Sequence, residues 1–109
     1  MNTGLPRRPV RRVIRMRLKA DSLDRYREVH DKINPALEAL YRGHGILQMS
    51  SFLLGRDLLV YQELDPRVFP EREATLAADP LEAAWQEEMA ALRDPSVEPE
   101  IFTEVYRMG

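Results

Sequence analysis

Apolar and polar residues alternate along residues 10–19 of the chain, which is the period of a strand with one buried face. One face carries the apolar side chains of Ile14, Met16 and Leu18. The other face is mostly charged and carries Val13, Arg15 and Arg17. This segment is therefore predicted to be a half-buried strand.

The spacing changes to that of a helix over residues 21–42, with Asp21 or Ser22 as a candidate N-cap. Pro35 lies inside this segment and lacks an amide donor, so it should kink the helix or split it in two. Glycines at positions 43 and 45 suit the helix end.

The remaining chain predicts a hairpin, a second helical region and a last strand. Residues 46–54 and 58–64 form the hairpin around a turn at 55–57, and residues 67–78 have a weak helical pattern. Asp79 followed by Pro80 is a strong helix start, with Glu82 at the third position as in a capping box. The helix that follows has a buried stripe of Leu81, Trp85, Met89 and Leu92, and the last strand is predicted at 101–108.

The element order is β-α-β-β-α-β, which predicts an α+β, ferredoxin-like domain with an antiparallel sheet and both helices on one face. We expect a single domain over residues 10–109, after a flexible tail at residues 1–9. The uncovered sheet face would carry apolar side chains beside the charged ones of the first strand. Such a face favours a symmetric homodimer over a monomer.

Charge and composition narrow the function classes. The net charge is −2, so neither nucleic acid nor a membrane surface is an expected partner. Six arginines crowd the first 17 residues, but no aromatic residues interleave with them, which favours a solvated tail over a basic arm. The chain has no cysteine, which excludes disulfides and thiol chemistry. Without a membrane span or a signal-peptide core, we expect a cytoplasmic protein.

The candidate chemistry lies in the first helical segment. Tyr26 and His30 are four residues apart and share a face with the apolar stripe, so both side chains should point inward. Histidine is the side chain that most readily exchanges a proton near neutral pH. The alternative is a structural histidine bonded to a nearby carbonyl or carboxylate. His44, between two glycines, is interpreted as a capping or surface residue, and the two histidines are a poor metal signal.

Several short motifs occur in an order that resembles the L-rhamnose mutarotase family. They are Tyr26-x-x-x-His30, Pro35-Ala-Leu-Glu-Ala-Leu, His44-Gly45, the hairpin at Asp57-Leu58-Leu59, Trp85, and the terminal Glu104-Val105-Tyr106. The similarity covers residues 11–108. It implies the dimeric α/β-barrel version of the ferredoxin-like fold and an isomerase that interconverts sugar anomers.

The resemblance also implies roles for individual residues. His30 corresponds to the proton donor, Tyr26 to a sugar contact, and Trp85 to the second tryptophan of a substrate-binding pair. Met49 stands where the family has a strand tyrosine, and Ala84 stands where it has the first tryptophan. Both are candidate substrate-binding positions whose chemistry differs from the family's. No metal or cofactor is implied.

Mutarotation needs one group to protonate the ring oxygen while the anomeric hydroxyl loses a proton, and one well-placed acid–base group suffices. His30 fits this role, with Tyr26 as a positioning partner and a sugar or related hydroxy-carbonyl compound as substrate. Two alternatives stay open at this point. One is a polyketide cyclase-like enzyme of the same fold, which would suit a pocket with Met49 and Ala84. The other is a non-catalytic small dimeric binding protein.

Overall fold

A four-stranded antiparallel sheet forms one layer of the protein. The computed structural model describes residues 8–109. The strands are β1 (Val10–Arg17), β2 (Ile46–Leu54), β3 (Asp57–Leu64) and β4 (Glu100–Thr103), in the order β2-β3-β1-β4. This order, with the first strand beside both the third and the last, confirms the predicted ferredoxin-like fold.

Four helices form the second layer, because each of the two predicted helical regions is divided. They are α1 (Leu23–Asp31), α2 (Pro35–Gly43), α3 (Phe69–Ala78) and α4 (Pro80–Leu92). Pro35 splits the first region, as predicted, and begins α2 behind the N-cap Asn34, whose side chain accepts a bond from Ala36 N. Within residues 8–109, no helix is long and apolar enough to cross a membrane.

The predicted helix start at Asp79 is confirmed, but the prediction of a capping box with Glu82 is wrong. The Asp79 side chain accepts a hydrogen bond from Leu81 N at 2.9 Å. Glu82 does not reach back to the Asp79 amide, because that amide already donates to Leu76 O at the end of α3. Ser22 is the N-cap residue of α1, but its side chain makes no capping bond.

The last strand is shorter than predicted. It pairs with β1 only from Glu100 to Thr103, and the chain leaves the ladder afterwards. Side-chain contacts then hold the C-terminal segment: Glu104 accepts from Arg11 Nε at 2.7 Å, and Arg107 donates to Pro9 O at 2.8 Å. Of the predicted flexible tail, residues 1–7 lie outside the described residues.

The core lies between the sheet and the helices. The predicted faces of β1 are confirmed, since Ile14 and Met16 pack against buried core residues. Two buried clusters meet at Met49 and Trp85, which pack against both. The sheet face away from the helices stays open, with the Phe52 side chain exposed.

A β-bulge near the start of β2 decides which of its residues face the helices. Ile46 pairs with Leu64, but Gln48 pairs with Glu63, so two residues of β2 oppose one residue of β3 at this point. An extra residue reverses the inward and outward phase of everything that follows it. As a result, Met49 and Ser51 face the helix layer.

Candidate active site

A cavity of about 350 Å³ lies between the sheet and the helices. Its volume is within the ~300–1,000 Å³ range of small-ligand pockets. The wall is mostly apolar, and eight polar residues also line it: Tyr26, His30, Tyr41, Ser51, Gln62, Glu82, Gln86 and Arg93. Pro99 and Ile101, which are exposed, also line it, so the cavity opens to solvent beside β4.

Tyr26 and His30 lie together in this cavity, as their helical spacing predicts. Their ring centroids are 4.0 Å apart. Tyr26 is buried, and its hydroxyl donates to Ser51 Oγ on β2 at 3.0 Å. Burial raises the pKa of the Tyr26 hydroxyl, so this group stays protonated at neutral pH and remains a donor.

The hydrogen bonds of His30 fix its tautomer. Its Nδ1 is 2.8 Å from the backbone carbonyl oxygen of Tyr26. A carbonyl oxygen only accepts, so Nδ1 carries a proton and donates it. In the neutral ring, Nε2 is then the nitrogen without a proton.

Trp85 reaches the same cavity from α4. Its ring meets His30 edge-on, with centroids 5.1 Å apart and an interplanar angle of 73°. Tyr26, His30 and Trp85 thus line one cavity, as expected from the sequence. Met49 also lines it.

Ala84 is the one candidate residue that the structure does not bring to this cavity. It lines a second groove, between α1, α2 and α4, which Trp85 also lines. Ala84 and Trp85 are neighbours on a helix and point about 100° apart, so a position beside Trp85 need not share its cavity.

Glu82 is a polar residue of the cavity that the sequence interpretation missed. It is 8% exposed, and its Oε1 accepts a hydrogen bond from the Tyr41 hydroxyl at 2.6 Å. Gln86 Nε2 lies 3.4 Å from the other oxygen, Oε2. The available signal was its spacing, because Glu82 is three residues before Trp85 and shares its helix face.

Burial is the largest influence on the pKa of the Glu82 carboxyl and of the Tyr41 hydroxyl. It raises the pKa of Glu82, and the hydrogen bond from Tyr41 offsets only part of that effect. Burial, together with the bond to Glu82, also raises the pKa of Tyr41. Tyr41 therefore remains a hydrogen-bond donor to Glu82 at neutral pH.

His44 is not part of the cavity. It is the C-cap residue of α2, half-buried, and its Nδ1 is 2.9 Å from Leu40 O. Over residues 8–109, no cluster of three or more histidine, aspartate or glutamate side chains could hold a metal ion.

The sequence was compared with protein families, and a model described as L-rhamnose mutarotase matches residues 11–108. The chain belongs to the L-rhamnose mutarotase family. It is an isomerase, a mutarotase that interconverts the anomers of a reducing sugar, with L-rhamnose as the family's substrate. The resemblance stated from the sequence is confirmed.

The fold of this mutarotase is similar to that of several solved structures. An L-rhamnose mutarotase from Formosa agariphila is 24% identical, with a TM-score of 0.69 over 91% of this chain and 98% of that one. A putative antibiotic biosynthesis monooxygenase from Nitrosomonas europaea is 13% identical, with a TM-score of 0.63 over 96% of this chain and 98% of that one. A comparison with curated proteins gives no significant match.

Proposed function

We propose that His30 is the general acid–base group of this mutarotase and that the sugar binds in the cavity beside Tyr26 and Trp85. The single observation that carries this proposal is the position of the His30 ring in the cavity, with its centroid 4.0 Å from that of Tyr26 and 5.1 Å from that of Trp85. The Nδ1 bond to the Tyr26 carbonyl orients the ring and leaves Nε2 as the nitrogen that transfers the proton. No cofactor or metal is required for the reaction.

The chemistry follows from the proposed position of Nε2 beside the sugar. Protonated His30 gives its proton to the ring oxygen, and solvent water that enters through the opening beside β4 accepts the proton of the anomeric hydroxyl. The electron pair of that O–H bond forms the C1 carbonyl as the C1–O5 bond breaks, which gives an open-chain aldehyde. Rotation about C1–C2 presents the other carbonyl face. The same groups then act in reverse as the ring closes.

The family match supports this sugar isomerase over the cyclase and the non-catalytic binding protein that the sequence left open. Met49 lines the cavity and remains a candidate substrate-binding position of this proposal, whereas Ala84 does not line the cavity and is not proposed as a contact of the sugar bound there. The direct test is anomer exchange followed by saturation-transfer NMR on L-rhamnose, fucose and other reducing sugars. Exchange no faster than in buffer for every sugar would overturn the proposal. A cytoplasmic location stays a prediction.

Tyr26→Phe should lower the exchange rate by about tenfold, less than loss of His30, because the ring beside His30 is kept and one hydroxyl is lost. The measurement is the anomer-exchange rate at saturating L-rhamnose. Ser51→Ala is the matched control, since it removes the same hydrogen bond from its other end. If Tyr26 contacts the sugar, Tyr26→Phe should be slower than Ser51→Ala. Equal rates would show that the hydroxyl acts only through Ser51.

We also propose that the protein is a homodimer that associates through the open face of its sheet. Phe52 and Phe102 lie on this face and are 57% and 51% exposed. Three more residues share this face, because residues that pair directly across neighbouring strands lie on the same side of the sheet. Leu59 pairs with Phe52, and Val13 pairs with both Phe102 and Tyr61. An apolar face of this kind is typical of an interface, and a symmetric dimer is the simplest way to cover it.

Light scattering at micromolar concentration should give twice the 12.7 kDa mass of the chain. Phe102→Asp should shift that mass towards the monomer, because the added charge would have to be buried at the interface. Thr75→Asp adds the same charge on the exposed side of α3 and should leave the mass unchanged. A monomeric mass for the unmodified protein would contradict the dimer.

A further inference from the structure

Glu82 is a buried carboxylate that the proposed proton transfer does not use. It lines the same cavity as His30, on the helix that also carries Trp85. Among residues 8–109, no lysine or arginine forms a salt bridge with it. Burial of a carboxylate without a cation costs stability, and its hydrogen bonds offset only part of the effect of burial.

The capping geometry of α4 supplies no such reason. The Asp79 amide, which a capping-box glutamate would accept from, is already bonded to Leu76 O. Glu82 is therefore not needed to begin the helix. The contact that does involve Glu82 is the hydrogen bond from the buried Tyr41 hydroxyl, which links α2 to α4 through Oε1 alone.

The hydrogen bonds of Glu82 leave acceptor capacity free. An ionised carboxylate offers about four lone-pair sites. Tyr41 fills one site on Oε1 with a short bond of 2.6 Å, and Gln86 approaches Oε2 only at 3.4 Å. Tyr41 thus fixes the orientation of the carboxylate, while Oε2 remains able to accept strong hydrogen bonds from hydroxyl groups.

We propose that Glu82, oriented by Tyr41, is a specificity-determining group of the cavity that accepts hydrogen bonds from hydroxyl groups of the sugar. This rests on the proposed function, because it assumes that the sugar occupies the cavity.

The test uses binding rather than catalysis, so that it does not depend on His30. Trp85 is the only tryptophan of the chain and lines the cavity, and its fluorescence can follow titration with L-rhamnose and with its monodeoxy analogues. We expect one analogue to bind the unmodified protein about tenfold more weakly than L-rhamnose, as for loss of a hydrogen bond to a charged group. Glu82→Gln should bind L-rhamnose about tenfold more weakly and should no longer distinguish that analogue.

Glu87→Gln is the matched control, because it is the same substitution at an exposed position of α4 outside the cavity, and its affinity should be unchanged. Thermal unfolding of Glu82→Gln should show no loss of stability at neutral pH, since the substitution removes a buried charge. The inference is overturned if L-rhamnose does not bind, or if Glu82→Gln weakens every analogue by the same factor. Binding that follows the expected pattern without faster anomer exchange would instead overturn the proposed function.

Discussion

Replacement of His30 by alanine should lower the anomer-exchange rate by ~10²–10⁴-fold, the usual contribution of a general acid–base group. The fold should survive, because His30 is only half-buried and its ring contacts are the neighbouring rings of Tyr26 and Trp85. Saturation-transfer NMR on L-rhamnose measures the rate, and circular dichroism checks the fold.

The second histidine of the chain provides a closely matched control. His44, like His30, is half-buried and bonds through Nδ1 to the carbonyl four residues before it, but it lies outside the cavity. His44→Ala should therefore exchange anomers at the unmodified rate. If His30→Ala is no slower than His44→Ala, the family and fold assignments survive and the mechanism proposed here does not.

Gly45→Ala should destabilise the protein by about 2–4 kcal/mol, from a strained backbone and a steric clash together. Gly45 has φ of 91°, a conformation that side chains other than glycine rarely adopt. An added Cβ would also lie 2.8 Å from Phe69 N and 3.1 Å from Phe69 Cα, at the start of α3. The neighbouring atoms are backbone and do not rotate away, so either the bulge region of β2 or the start of α3 must shift.

Urea denaturation of Gly45→Ala measures this loss, and Gly43→Ala is its control. Gly43, the last residue of α2, has no atom within 4 Å of a built Cβ and does not have a positive φ. Its replacement should leave the free energy of unfolding unchanged or raise it by ~0.5 kcal/mol. Equal unfolding midpoints for the two variants would contradict the proposed close packing at Gly45.

The spacing of residues along the sequence was sufficient to predict part of the site. Tyr26 and His30 share a helix face because they are four residues apart, and neither a partner strand nor a distant contact changes that relation. Trp85 follows in the same way from the stripe of α4. These three residues meet in the structure because both helical regions pack on the same side of one sheet.

The inward residues of β2 could not be derived from its sequence. The bulge between Ile46 and Gln48 adds one residue to the strand, and this reverses which side chains face the helices. Met49 and Ser51 reach the cavity for that reason. A bulge is a property of pairing with β3, so the alternation within residues 46–54 does not reveal it.

The sequence by itself determined the element order, the split at Pro35, the helix start at Asp79 and the pairing of Tyr26 with His30. Each of these follows from spacing, capping or the missing amide of proline, which act over a few residues. The tertiary structure decided the short β4, the phase of β2 and the position of Glu82 in the cavity. Glu82 looked like a capping residue because only the folded chain brings Tyr41 to its carboxylate and the end of α3 to the Asp79 amide.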